Sequence, residues 1–158
     1  MSKTDSIRDN LGEFWIPAIY ESKVRTQRTR AVEMPIPARE NGAEILYTLL
    51  GIELKVGKRR IACPDLATAR YLRVFARVGC RNVAVPYNIT KVYPLADLLE
   101  TAWQRAVLLI EMNSKELSPA SASRMRSVFV KTVRDAVETI GAGEIMPEFK
   151  QSTKQRIN

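Results

Sequence analysis

Apolar and polar positions divide the 158-residue chain into segments of different period. Ile52, Leu54 and Val56 alternate with Glu53 and Lys55, the two-residue repeat of a half-buried strand. Gly57-Lys58 supplies a two-residue turn and Arg59–Cys63 a returning strand, so 52–63 is predicted as a hairpin. Leu66, Ala69, Leu72, Phe75 and Ala76 then recur at helical spacing. Asp65 stands where a cap accepts from orphan amides and Gly79 where a helix stops, which predicts a helix over 66–78. Val83 and Val85 mark a short strand at 82–86, and residues 87–93 a loop.

Two longer helices follow. Leu95, Leu98, Leu99, Ala102, Ala106, Leu109 and Ile110 form one face of a helix from about Pro94 to Met112. Ser118 as cap and Pro119 at the first helical position open the next, whose face runs from Ala122 and Met125 through Phe129 and Val133 to Ile140, with Gly141 as its end. Towards the N-terminus, Ile45, Leu46, Leu49 and Leu50 before Gly51 fit a helix over about 39–50, and a strand through 44–50 competes with it. Phe14, Trp15, Ile16, Ile19 and Tyr20 form a cluster expected to pack, and 23–33 is expected to be extended. Pro35 and Pro37 forbid a helix across 34–38.

These elements compose an α/β fold. Its small mixed sheet holds the hairpin and one parallel strand, 82–86, reached through the crossover helix 66–78, and two long helices follow. The predicted organisation is a flexible N-terminal tail over 1–12, a single domain over 13–141 and a C-terminal tail over 142–158, in which Ile145, Met146 and Phe149 are available to dock.

Composition then excludes several function classes. Hydrophobic residues make up 46% and charged residues 27%, values of a globular chain. The absence of histidine removes Ser-His-Asp and Cys-His catalysis, histidine-ligated zinc and a histidine pH switch. Two cysteines, Cys63 and Cys80, are too few for a four-cysteine zinc site, so no metal and no cofactor is expected. Apolar runs are far shorter than the roughly 20 residues that span a bilayer, and the N-terminus carries no secretory pattern. The expectation is a cytoplasmic protein with reduced thiols and no membrane partner. The broad apolar faces of the last two helices admit a homodimer.

Charge is unevenly distributed. The chain carries 25 Lys+Arg against 17 Asp+Glu, a net +8. Residues 23–81 hold thirteen basic and five acidic groups and so contain the whole excess. Arg70, Arg73 and Arg77 make one helical stripe, with Arg81 just beyond it, and Lys58, Arg59 and Arg60 sit at the hairpin turn. Lys23, Arg25, Arg28 and Arg30 lie in the extended segment. Nine of these eleven residues are arginine, whose planar fork suits phosphate oxygens. If the groups share a face they form a polyanion-binding surface, leaning on the phosphate backbone, with Tyr71 the residue available for stacking.

Some residues invite chemistry. Glu53-Leu54-Lys55, in a strand between helices, resembles part of the PD-(D/E)xK nuclease core, with Glu44 similar to the family's first acidic residue. The resemblance implies divalent-metal binding by Glu53 and polarisation of water by Lys55. The chain departs from that family in lacking a strand with aspartate between Glu44 and the E-x-K segment, and its Pro64-Asp65 pair follows that segment. Cys63, ahead of a helix N-terminus, reads as a small core residue in phase with Ile61. Gly141-Ala142-Gly143 follows a helix rather than a strand and reads as a stop. The leading expectation is a non-catalytic module that binds nucleic acid or another polyanion through Lys58, Arg59, Arg60, Arg70, Arg73, Arg77 and Arg81. The alternatives are an adaptor docking on an acidic protein and a divergent metal-dependent nuclease.

Overall fold

A computed structural model of the protein describes residues 2–35 and 42–143. It is a mixed α/β arrangement of two small antiparallel sheets, of two and three strands, with two long C-terminal helices. The N-terminal stretch is not a loose tail. Residues Lys3–Leu11 form α1, opened by a reciprocal cap in which Ser2 Oγ accepts from the Asp5 amide and Asp5 Oδ2 accepts from the Ser2 amide. Ile7 and Leu11, one turn apart, are buried. Ile16–Ile19 form α2, which widens into a π-helical turn over Tyr20–Val24, and the expected aromatic cluster packs there, with Trp15 edge-on to Phe129.

The strands are β1 (Thr29–Glu33), β2 (Ala43–Thr48), β3 (Gly51–Val56), β4 (Arg59–Cys63) and β5 (Asn82–Pro86). The predicted hairpin is β3–β4, with Leu54 opposite Ile61 and Val56 opposite Arg59. β2 occupies the segment where a helix competed with a strand, and it pairs with β3, Ile45 opposite Leu54. Residues 39–41 of that candidate helix lie outside the described residues. The strand wins because Ile45 then shares the inner face of the sheet with buried Leu54 and Val56, whereas Leu49 and Leu50 are left in the connecting turn.

The expected parallel pairing of 82–86 with 59–63 does not form. β5 pairs antiparallel with β1, Ala31 opposite Ala84. Its other edge is closed by side chains: the Ala84 amide donates to Tyr20 Oη at 3.0 Å, and Tyr71 Oη donates to the Ala84 carbonyl at 2.6 Å. With the amide and the carbonyl of Ala84 both satisfied, no donor or acceptor there remains for β4. Tyr20 Oη in turn donates to the Gly141 carbonyl at 2.8 Å, tying the sheet to the end of the last helix.

Leu66–Val78 form α3, capped by Asp65 Oδ1 on the Thr68 amide and ended by Gly79 in the left-handed region at φ 90°. Ile89–Ser114 form α4, which starts five residues before Pro94 because Asn88 Oδ1 caps the Thr90 amide. The expected loop over 87–93 is thereby reduced to Tyr87 and Asn88. Pro119–Ile140 form α5, with the predicted Ser118 cap. Leu72, Phe75, Leu99, Phe129 and Val133 are among the buried side chains these helices share. Each such side chain contributes about 1.5–3 kcal/mol. Of the expected C-terminal tail only Ala142 and Gly143 are described, and Ala142 is buried. Ile145, Met146 and Phe149 lie outside the described residues. Among the described residues no helix is long and apolar enough to cross a membrane.

Candidate nucleic-acid interface

The arginine stripe of α3 faces α4, not open solvent. Arg70 holds Glu100 in a two-point contact, Nε to Oε2 at 3.1 Å and Nη2 to Oε1 at 2.6 Å, and Nη2 also reaches Asp97 Oδ1 at 2.5 Å. Arg73 Nη2 reaches the same Glu100 at 3.2 Å. These bonds lay the middle of α3 against Asp97 and Glu100 of α4. The Arg70 and Glu100 side chains are only 19% and 20% exposed, so this pairing is worth more than a surface ion pair. Burial pushes the Glu100 carboxyl up, but the Arg70 and Arg73 guanidinium groups outweigh it and hold the carboxyl below its ordinary value. Arg77, one turn on, is lowered from its ordinary value by burial and by the charge of Arg73.

The other basic residues named by the sequence are elsewhere. Lys58 and Arg59 are exposed at the β3–β4 turn and form no ion pair among the described residues. Arg60 pairs with Glu53 at 3.2 Å, and Lys55 with Glu44 at 3.9 Å. Both charged residues of the E-x-K segment are therefore taken up in a cross-strand ladder. No group of three acidic, cysteine or histidine residues able to hold a metal exists among the described residues. Arg81, exposed after α3, has its backbone amide on Glu138 Oε2 at 2.8 Å. Cys63 and Cys80 are free thiols, both buried. Burial, with the nearby Glu138, pushes the Cys80 thiol up to about 12, which makes it inert at neutral pH.

Two other arginines lie over tyrosine rings, one pair following β5 and the other joining α3 to α4. Arg28 lies over the Tyr87 ring, its guanidinium carbon 5.0 Å from the centroid. The Tyr87 amide donates to the Arg28 carbonyl at 3.1 Å, which extends the β1–β5 ladder and fixes the pair. Arg70 lies over the Tyr93 ring at 5.5 Å, and its pairing with Asp97 and Glu100 orients it there. Both rings are more than half exposed, Tyr87 at 52% and Tyr93 at 58%. Lys91, between them in sequence, is exposed on the first turn of α4. The N-termini of α3 and α4 both open here and add positive potential. Arg30 is close enough for its charge to act on Cys63 at the end of β4.

Thus Arg70 and, from the extended segment, Arg28 each lie over an exposed tyrosine ring, whereas Lys58 and Arg59 of the β3–β4 turn are exposed without an ion pair among the described residues. Tyr71, the residue the sequence offered for stacking, is fully buried. Reading 87–93 as a loop leaves Tyr87, Tyr93 and Lys91 out of the sequence-derived candidates; the Asn88-Ile89-Thr90 cap is the local signal that places the last two on a helix. Comparison of the chain with protein-family models, with curated proteins and with solved structures finds no match.

Proposed function

We propose that this protein is a non-catalytic nucleic-acid-binding module that holds a strand at the end where α3 and α4 begin. The observation that carries the reading is the pair of exposed tyrosines, Tyr87 and Tyr93, each lying under an arginine. Bases stack on aromatic faces irrespective of sequence, while guanidinium and ammonium groups take the phosphates. Arg28 and Lys91 serve the backbone, and Tyr87 and Tyr93 serve the bases. Arg70 contributes chiefly by orienting Tyr93, because its own charge is shared with two carboxylates. Such binding is sequence-tolerant and weakens steeply with salt.

Fluorescence anisotropy with a labelled single-stranded oligonucleotide tests the reading. Wild-type protein is expected to bind at low salt. Replacing Tyr87 and Tyr93 together by alanine leaves every cation in place and is expected to lower affinity at least tenfold, since each stacked base is worth about 1–3 kcal/mol. Absence of binding by wild type at low salt, or equal binding by the double variant, overturns it.

A further inference from the structure

The second half of α4 has an outer face of unusual make-up. Gln104, Arg105, Leu108, Glu111 and Met112 follow one another at three- and four-residue steps or side by side on the same turn, so they share one side of the helix. The buried residues Leu99, Ala102, Ala106 and Ile110 occupy the opposite side. All five outer residues are exposed, Leu108 and Met112 at 58% and 63%. Beside them, between α4 and α1, lies a cavity of about 280 Å³ lined by Asn10, Leu11, Arg105, Leu108, Leu109 and Met112. The face therefore carries apolar projections and an apolar hollow together.

Two opposite charges are placed symmetrically about Leu108, Arg105 three residues before it and Glu111 three after. Neither forms an ion pair among the described residues. The Arg105 guanidinium is held over the Phe14 ring, 4.3 Å from the centroid, which fixes where the cation stands. A two-fold axis through Leu108 that sets a second α4 antiparallel pairs residues mirrored about that position. Arg105 then meets Glu111 of the second copy, and the pair occurs twice. Met112 meets Gln104 of the second copy and Lys115 meets its Thr101, so no like charges oppose one another. A parallel arrangement would set arginine against arginine and glutamate against glutamate.

We infer that the outer face of α4 is a homodimer interface, covered by a second copy of this chain whose α4 runs antiparallel across Leu108. Leu108 and Met112 of each copy enter the hollow between α1 and α4 of the other, side chains set into grooves as in packed helices. A patch that serves both sides of a two-fold must be complementary to itself, and this one is so in charge and in apolar character. A nucleic acid or an anionic lipid would gain from Arg105 but would meet Glu111 on the same stripe. The inference does not rest on the nucleic-acid reading. Tyr93 lies about 22 Å back along α4 from Leu108, and the antiparallel pairing carries the two copies of it to opposite ends.

Sedimentation velocity over a concentration series tests the interface. Wild type is expected to be dimeric at about 100 μM, as suits a face of this modest size. Leu108→Asp is expected to raise the dissociation constant about tenfold or more, since it removes an apolar contact and sets two carboxylates together at the axis. Arg105→Glu and Glu111→Arg are each expected to weaken the dimer by about tenfold, and the two combined to return it to within about threefold of wild type, because the opposite charges then meet again. Circular dichroism checks that each variant is folded. Glu111 has no ion partner in its own chain, so Glu111→Arg keeps the test decisive should Arg105→Glu disturb the contact with Phe14. A monomeric wild type, a dimer indifferent to Leu108→Asp, or a combined variant no stronger than the single ones overturns the inference. None of these results bears on oligonucleotide binding, so the two readings stand or fall separately.

Discussion

Two turns close opposite ends of the three-stranded sheet, and they are built from unlike residues. At one end Gly57, with φ at 62°, and Lys58 make a turn whose chemistry serves the hairpin, and the neighbouring Arg59 is exposed to solvent. At the other end Leu49 and Leu50 serve neither turn geometry nor core. Local rules account for the first turn completely. At the second they are broken without gain to the fold, which is where function is expected to enter. The arginines divide in the same way. Arg70 and Arg73 of α3 pair with Asp97 and Glu100 of α4, whereas Arg28 is laid over an exposed ring and forms no ion pair among the described residues.

The largest effect expected concerns the seam that anchors one of these ends. Glu100→Ala leaves Arg70 with Asp97 alone and Arg73 with no ion partner among the described residues. It is expected to destabilise the protein by about 2–3 kcal/mol, measured by denaturant unfolding. The pH dependence follows from the lowered Glu100 carboxyl. The unfolded chain takes up this proton at a higher pH than the folded one. The stabilisation is therefore complete above the unfolded carboxylate range and is lost as pH falls through the lower folded value. In Glu100→Ala that component of the acid slope is expected to vanish. A change below about 0.5 kcal/mol would mean that these arginines are ordinary surface charge after all.

The second effect compares cations at the two ends. Lys58→Ala with Arg59→Ala is expected to alter oligonucleotide affinity less than about threefold, and Arg28→Ala with Lys91→Ala to lower it about tenfold at low salt, with a shallower salt dependence. The reverse order would move the proposed interface to the β3–β4 turn.

How much of this was legible depended on whether a residue's partner lay nearby in the chain. Ser118 and Pro119 start α5, Asp65 and Gly79 bound α3, and Gly57-Lys58 closes β3–β4, all as their local chemistry dictates. The cap of α1 is equally local, but Ile7 and Leu11 are the only apolar residues on a buried side shared with Thr4, too sparse a stripe to announce a helix. The pairing of β1 with β5 joins strands some fifty residues apart and depends on two tyrosine hydroxyls that no pattern announces. The arginine stripe was found by its period, but its fate was set by Asp97 and Glu100, the same three residues apart on the partner helix. That complementary spacing was present in the sequence and becomes informative only once the two helices are known to lie side by side. Hydrophobicity counts Leu49 and Leu50 towards a buried face, and the β2–β3 turn leaves both exposed.

The smallest effect is the one most specific to the two turns. If Leu49 and Leu50 contribute nothing to folding, Leu49→Asn with Leu50→Gly removes exposed apolar surface and supplies residues that a two-residue loop prefers. Unfolding free energy is then expected to stay within about 0.5 kcal/mol of wild type, with any change towards greater stability. The converse substitution at Gly57, to alanine, forces a side chain into the left-handed region and is expected to destabilise by about 1 kcal/mol. Both are read in the same denaturant titration. A loss of more than about 1 kcal/mol in the leucine variant would show that the tip packs against something in the folded chain. The two turns would then differ only in composition, and the exposed leucines would need no partner to explain them.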